Sequence, residues 1–172
     1  SRRVGEATDT LPELTDLAAV GRGHEDLVVL SHATGLLALD PATGEERWRL
    51  DLGARLAAPA TLASPERALV PLDDGHVALV EVASGKLQSR LTTSGRPTSS
   101  AAQGPSLCGV GVEGDTVEAV WRGVVWSRKV PGPVTAPPVV TETGVVYVAA
   151  GEALLALDVK DGAVRWEKAL GA

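Results

Sequence analysis

The chain has 172 residues, the length of one ordinary domain. It carries 22 acidic against 16 basic side chains, a net charge of −6, which excludes the basic footprint of a nucleic-acid binder and gives no hold on an anionic membrane surface. Hydrophobic residues make up 44%, enough to bury a core, yet aromatics are only 3% and Phe, Met, Ile and Asn are absent, so Val, Leu and Ala must build that core.

One cysteine, Cys108, excludes an internal disulfide and a cysteine-rich metal site. No apolar run approaches the ~20 residues of a helical membrane span. Without Asn there is no N-glycosylation acceptor. The sequence opens on Ser1 rather than Met, and its natural start is expected upstream or removed.

Residues 1–13, with Arg2, Arg3, Glu6 and Asp9, lack periodicity and read as an arm or linker. From residue 14 onwards the chain repeats with a period near 40. Gly35-Leu36-Leu37-Ala38-Leu39-Asp40, followed by Gly44 and Trp48, returns as Ala153-Leu154-Leu155-Ala156-Leu157-Asp158, followed by Gly162 and Trp166. A degenerate copy runs from Gly75 to Ser89 and a shorter one from Val117 to Trp126. The equivalent positions Trp48, Ser89, Trp126 and Trp166 lie 41, 37 and 40 residues apart.

Each copy has the same order. A short apolar segment comes first: 17–20, 59–62, 99–102 and 137–140. A Val-rich or Leu-rich strand follows at 27–30, 68–71, 107–110 and 145–149. A Gly turn then leads to the Leu-Ala-Leu-Asp strand, and a second turn to the Trp strand. Four short strands per period of about 40 predict an all-β fold, a β-propeller of four-stranded antiparallel blades. The blades are expected near 14–52, 56–92, 98–130 and 134–171. One such blade is apolar on both faces and needs neighbours on each side.

The turn residues fit this register. Asp40 and Asp158 can accept backbone N–H bonds in an Asx turn, and Gly44 and Gly162 supply positive φ. Trp48 and Trp166 are expected to lie flat between adjacent blades. Repeat two has Glu81 for the Asp and Ser89 for the Trp. Repeat three has a short Arg122-Gly123 turn and no Asp, though it keeps Trp126. These two repeats are therefore expected to make the weaker interblade contacts.

Leu-Leu-Ala-Leu-Asp-x-x-x-Gly-x-x-x-Trp, preceded by Val-Val-Tyr-Val, resembles the pyrroloquinoline-quinone-like (PQQ-like) repeat. The resemblance spans residues 14–171 and is strongest in repeats one and four. That repeat builds the eight-bladed propellers of bacterial quinoprotein dehydrogenases and of the outer-membrane assembly lipoprotein. It implies a fold rather than one function. Four repeats are half of the usual eight, so the chain is expected to be a piece of a longer protein, a half-propeller completed by a second copy or subunit, or a small closed ring.

Chemical motifs mostly fail. Gly109-Val110-Gly111-Val112-Glu113-Gly114 matches G-x-G-x-x-G, but a strand pattern follows where a dinucleotide site needs a helix. Ser84-Gly85-Lys86 is a hairpin turn by repeat position. His24, His32 and His76 have no metal-ligand spacing and read as loop residues. Asp73-Asp74-Gly75 reads as a turn rather than a calcium loop. Cys108 reads as a small buried hydrophobe. The resemblance implies, for the enzymes, adjacent cysteines and a calcium held by carboxylates and an Asn, and this chain has one cysteine and no Asn.

No catalytic, cofactor-binding or metal residue is assigned, and no cofactor is expected. The leading expectation is a non-enzymatic propeller scaffold that binds a protein partner or a second propeller half. The resemblance implies an extracytoplasmic, periplasmic place. The alternatives are part of a quinone-dependent dehydrogenase, or a ligand-sensing propeller of a signalling protein.

Overall fold

The computed structural model describes residues 18–22, 27–105 and 107–171, the first of these by backbone alone. The expected arm and His24 lie outside the described residues. Among the described residues sixteen strands form four antiparallel sheets of four, each in sequence order, and there is no helix. The first blade comprises β1 (Ala18–Arg22), β2 (Val28–His32), β3 (Gly35–Leu39) and β4 (Glu46–Asp51). The second comprises β5 (Thr61–Ser64), β6 (Arg67–Leu72), β7 (His76–Glu81) and β8 (Leu87–Thr92). The third comprises β9 (Ala102–Gln103), β10 (Cys108–Val112), β11 (Thr116–Val120) and β12 (Val124–Lys129). The fourth comprises β13 (Val139–Val140), β14 (Val145–Ala150), β15 (Ala153–Asp158) and β16 (Val164–Ala169).

The first strands β1, β5, β9 and β13 touch one another in chain order, so the blades fan from a common inner edge. Hydroxyls tie that edge together. Ser100 Oγ donates to the Pro59 carbonyl at 2.7 Å, Thr61 Oγ1 to the Ala101 carbonyl at 2.6 Å, and Thr98 Oγ1 to the Val134 carbonyl at 2.8 Å. Each bond crosses from one blade to the next and satisfies a backbone carbonyl that lies outside the inner strands.

Packing between blades supplies the core. Val29, Leu36 and Ala38 of blade 1 meet Ala68, Val70, Ala78 and Val80 of blade 2. Leu69, Val77 and Leu91 of blade 2 meet Cys108, Val110 and Val120 of blade 3. Val117, Ala119 and Trp126 of blade 3 meet Val146, Val148, Leu155 and Leu157 of blade 4. The side chains are small because strands alternate their faces and both faces of an inner blade are covered. All four blades carry a β-bulge at the same place, after Ala38, Leu79, Ala119 and Ala156. A bulge bends its strand and raises local twist, here just before the turn that leads to the tryptophan strand.

Candidate functional site: an unfilled seat between blades

The interblade contact has one repeated device. In blade 2, Gly85 N–H donates to the Glu81 carbonyl and Glu81 N–H to the Lys86 carbonyl, both at 2.9 Å. The same two bonds frame Asp40–Glu45 and Asp158–Ala163. Asp40 Oδ1 also accepts from Ala42 N–H, and Asp158 Oδ1 from Lys160 N–H, at 2.9 Å each. These are the expected Asx turns. Gly44, Gly85 and Gly162 sit at φ 73°, 68° and 70°. That conformation favours glycine at all three, and at Gly85 and Gly162 the space above it does too.

Onto this turn the preceding blade lays its tryptophan. Trp48 donates its indole N–H to the Val82 carbonyl at 2.8 Å and covers Gly85, where an added Cβ would stand 2.5 Å from the ring. Trp126 donates to the Val159 carbonyl at 2.8 Å and covers Gly162, with a corresponding 2.7 Å. Trp126 is only 8% exposed. Repeat three therefore makes a strong contact through its tryptophan, contrary to the expectation from its short turn. Repeat two likewise offers a sound turn to Trp48 despite Glu81, because the backbone bonds and not the Asp carboxylate form the frame.

Trp166 corrects the sequence expectation. Its ring is 44% exposed and tilts at 44° against Tyr147, 5.9 Å away, rather than lying between blades. Among the described residues no further blade stands against that face of blade 4. Conversely, nothing among the described residues lies within 4 Å of a Cβ built on Gly44. Among the described residues, Trp166 lacks a turn and the Gly44 turn lacks a tryptophan.

The two degenerate features, Ser89 and the Trp121-Arg122-Gly123 turn, fall on the same interface. In the cross-strand row that ends in tryptophan, Ala38 pairs Trp48, Ala119 pairs Trp126 and Ala156 pairs Trp166. In blade 2 the row reads Leu69, Leu79, Ser89. The larger Leu79 stands where the other blades have alanine, and a serine where they have tryptophan. Opposite, Trp121 N–H closes a tight turn on the Gly123 carbonyl at 2.8 Å, with Arg122 at φ 56°. No Asx turn is left for an indole to cover. A cleft of about 440 Å³ opens there between blades 2 and 3.

Leu69, Leu79, Leu91, Leu107 and Cys108 give the cleft an apolar floor. Arg67 and Arg122, both exposed, line it, and neither forms an ion pair among the described residues. Trp121 borders it and is 54% exposed. Gln103 also lines it, and its side-chain oxygen is buried with no hydrogen-bond partner. Burial pushes the Cys108 thiol up to about 12, so it sits protonated in the floor as a small hydrophobe. The volume falls within the range of ordinary ligand pockets.

The remaining candidates stay apart. His32 closes β2 and is half-buried, while His76 Nδ1 lies 3.1 Å from Asp74, whose other oxygen takes Arg90 at 2.9 Å. Gly75 is a positive-φ turn residue at 83°. Gly109 and Gly111 lie in β10, and Gly114 and Asp115 form the hairpin turn to β11. No cluster of three His, Cys, Asp or Glu side chains fit to hold a metal occurs among the described residues. Sequence reading missed buried Glu118, whose carboxylate accepts the Ser94 N–H at 3.0 Å and the Ser94 hydroxyl. It also missed the cleft. The available signal was that two departures from the repeat fall in successive copies, where the Trp of one repeat meets the turn of the next.

Blades of this composition, joined by tryptophans seated on glycine turns, define a PQQ-like β-propeller. The family model described as outer membrane protein assembly factor BamB matches residues 7–119 and again 73–172, and the chain belongs to that family. No curated protein matches. Among solved structures, BamB from Moraxella catarrhalis is similar with a TM-score of 0.73 and 14% identity, over 91% of this chain and 49% of that one. Kuenenia stuttgartiensis hydrazine synthase is similar with a TM-score of 0.72 and 11% identity, over 97% and 53%. The quinohemoprotein alcohol dehydrogenase ADHIIG from Pseudomonas putida HK5 is similar with a TM-score of 0.67 and 11% identity, over 83% and 32%. At these identities the likeness concerns the fold. The chain spans about half the length of the BamB and hydrazine synthase chains. No described helix is long and apolar enough to cross a membrane.

Proposed function

We propose that the chain is a non-enzymatic propeller module that binds protein, with its ring completed by further blades, and that it works outside the cytoplasm. The observation that carries this is the pair of unmatched half-interfaces, Trp166 without a turn and the Asp40–Gly44 turn without a tryptophan. Each is one half of the contact that joins blades 1 to 2 and 3 to 4. Exposed Val139, Trp166 and Leu170 continue the apolar character of that end. Apolar surface of this kind is the usual mark of an interaction face. Membership of the BamB family supports a scaffold role and a place at the outer membrane. We assign no catalytic, cofactor or metal role to any residue.

Size-exclusion chromatography with light scattering tests the reading. The expected result is a mass of two chains, or a stable complex with a partner, which Trp166→Asp disrupts. A monomer at every concentration, stabilised against heat by pyrroloquinoline quinone with calcium, would instead favour the dehydrogenase reading.

A further inference from the structure

We propose that the cleft between blades 2 and 3 docks an aromatic side chain from an acidic segment of a partner protein. The inference rests on the reading of the module as a protein-binding scaffold and names the chemistry that one of its sites accepts. Three independent features of the cleft point to the same occupant.

The first is shape. The interfaces on either side are filled by an indole from the preceding blade, Trp48 and Trp126. At the middle interface the donor of that indole is Ser89, and the turn that would receive it is cut to Trp121-Arg122-Gly123. A loss on one side alone would leave a strained contact. A loss on both sides leaves a formed cleft with a leucine floor, fit for a flat ring. Trp121, exposed at its edge, offers a stacking partner.

The second is hydrogen bonding. The buried Gln103 oxygen is an acceptor without a donor. Such a group costs stability until it is paired. An indole N–H or a phenol O–H pairs with it once the side-chain amide turns toward the cleft it lines, and a phenyl ring does not. The third is charge. Arg67 and Arg122 line the cleft without ion pairs, and no Asp or Glu lines it. Carboxylates flanking the aromatic residue therefore find two cations. The net charge of −6 opposes an acidic partner at long range. Screening damps that repulsion beyond ~8 Å at physiological salt, so the local arginines decide the contact.

The probe is the blocked pentapeptide acetyl-Gly-Asp-Trp-Asp-Gly-amide, titrated into the 15N-labelled chain and followed by NMR. Shifts are expected at the Gln103 side-chain amide, the Trp121 indole and the amides of residues 88–91. Replacing the peptide's Trp by Phe should weaken binding several-fold, and replacing its two Asp by Lys at least tenfold. Ser89→Trp, which fills the seat from within, should abolish binding. Should that variant fail to fold, two others decide. Gln103→Leu should erase the preference for Trp over Phe, and Arg122→Glu the preference for Asp over Lys. Absent shifts at millimolar peptide, or equal affinity for all peptides, would each overturn the proposal. Assembly through Trp166 by a chain that ignores the peptide would remove the cleft and keep the scaffold. Peptide binding by a chain that never assembles would keep the cleft and remove ring completion.

Discussion

The indole N–H of Trp126 donates to the carbonyl of Val159 across the boundary between blades 3 and 4, at 2.8 Å, while its ring covers the turn glycine of the next blade. The bond fixes the ring's position, and the ring excludes water from the bond. Blade cohesion in this chain depends on that pairing wherever it is complete.

Trp126→Ala should therefore cost about 3–5 kcal/mol, the usual cost of removing a buried large aromatic. Trp166→Ala should cost about 1 kcal/mol in the isolated chain, because much of its ring is already in water. Urea denaturation of the two variants checks the difference. Equal losses would show that the fourth blade is covered as fully as the third.

The turn glycines should divide in the same way. Gly44→Ala should cost about 1 kcal/mol, the strain of a side chain at positive φ with open space above it. Gly162→Ala carries the same strain and must also displace the Trp126 ring, so it should cost about 2 kcal/mol more. Thermal unfolding of both variants gives the comparison. A Gly162→Ala chain as stable as Gly44→Ala would mean the ring is not seated there.

Much of this was legible in the sequence because a propeller is one pattern written several times. The period, the Leu-Ala-Leu-Asp strand and the Gly-to-Trp spacing set four sheets, their strand order and the glycine turns. The inner strands begin a residue or more later than the spacing predicts, since β9 and β13 are only two residues long and Ser100 and Thr98, ahead of β9, bond across to the neighbouring blades. Trp166 departs from its expected place for a different reason. A repeat states what a residue needs but not whether its neighbour is present. The cleft is not visible in the sequence, because Ser89 and the Trp121 turn belong to separate repeats and only the fold sets each opposite the other.

Acid should loosen the first blade before it touches the carboxylates. Burial, then the nearby Arg49, hold His32 below its ordinary 6.5, against weaker opposing effects of Asp51 and the Leu50 backbone. The folded chain thus binds this proton less readily than the unfolded one, and stability falls as pH drops below 6.5. Glu46 and Asp158 are also held low, Glu46 by its bond from Arg49 and Asp158 by the Lys160 N–H and then by Arg165, and their loss begins only near 4.5 and 3.8. His32→Gln should flatten the decline that begins below pH 6.5 and leave the fall set by the carboxylates. A decline unchanged by that substitution would place its cause elsewhere.

Hydrogen exchange of the four indole N–H groups, read by NMR, tests most directly the claim that the joints between blades 1 and 2 and between blades 3 and 4 are each a tryptophan seated on a turn. In the dilute chain Trp48 and Trp126 should exchange slowly, and Trp121 and Trp166 fast. When the ring is completed at high concentration or by a partner, Trp166 should join the slow pair. Fast exchange at Trp126, or Trp166 protected in the dilute monomer, would contradict it.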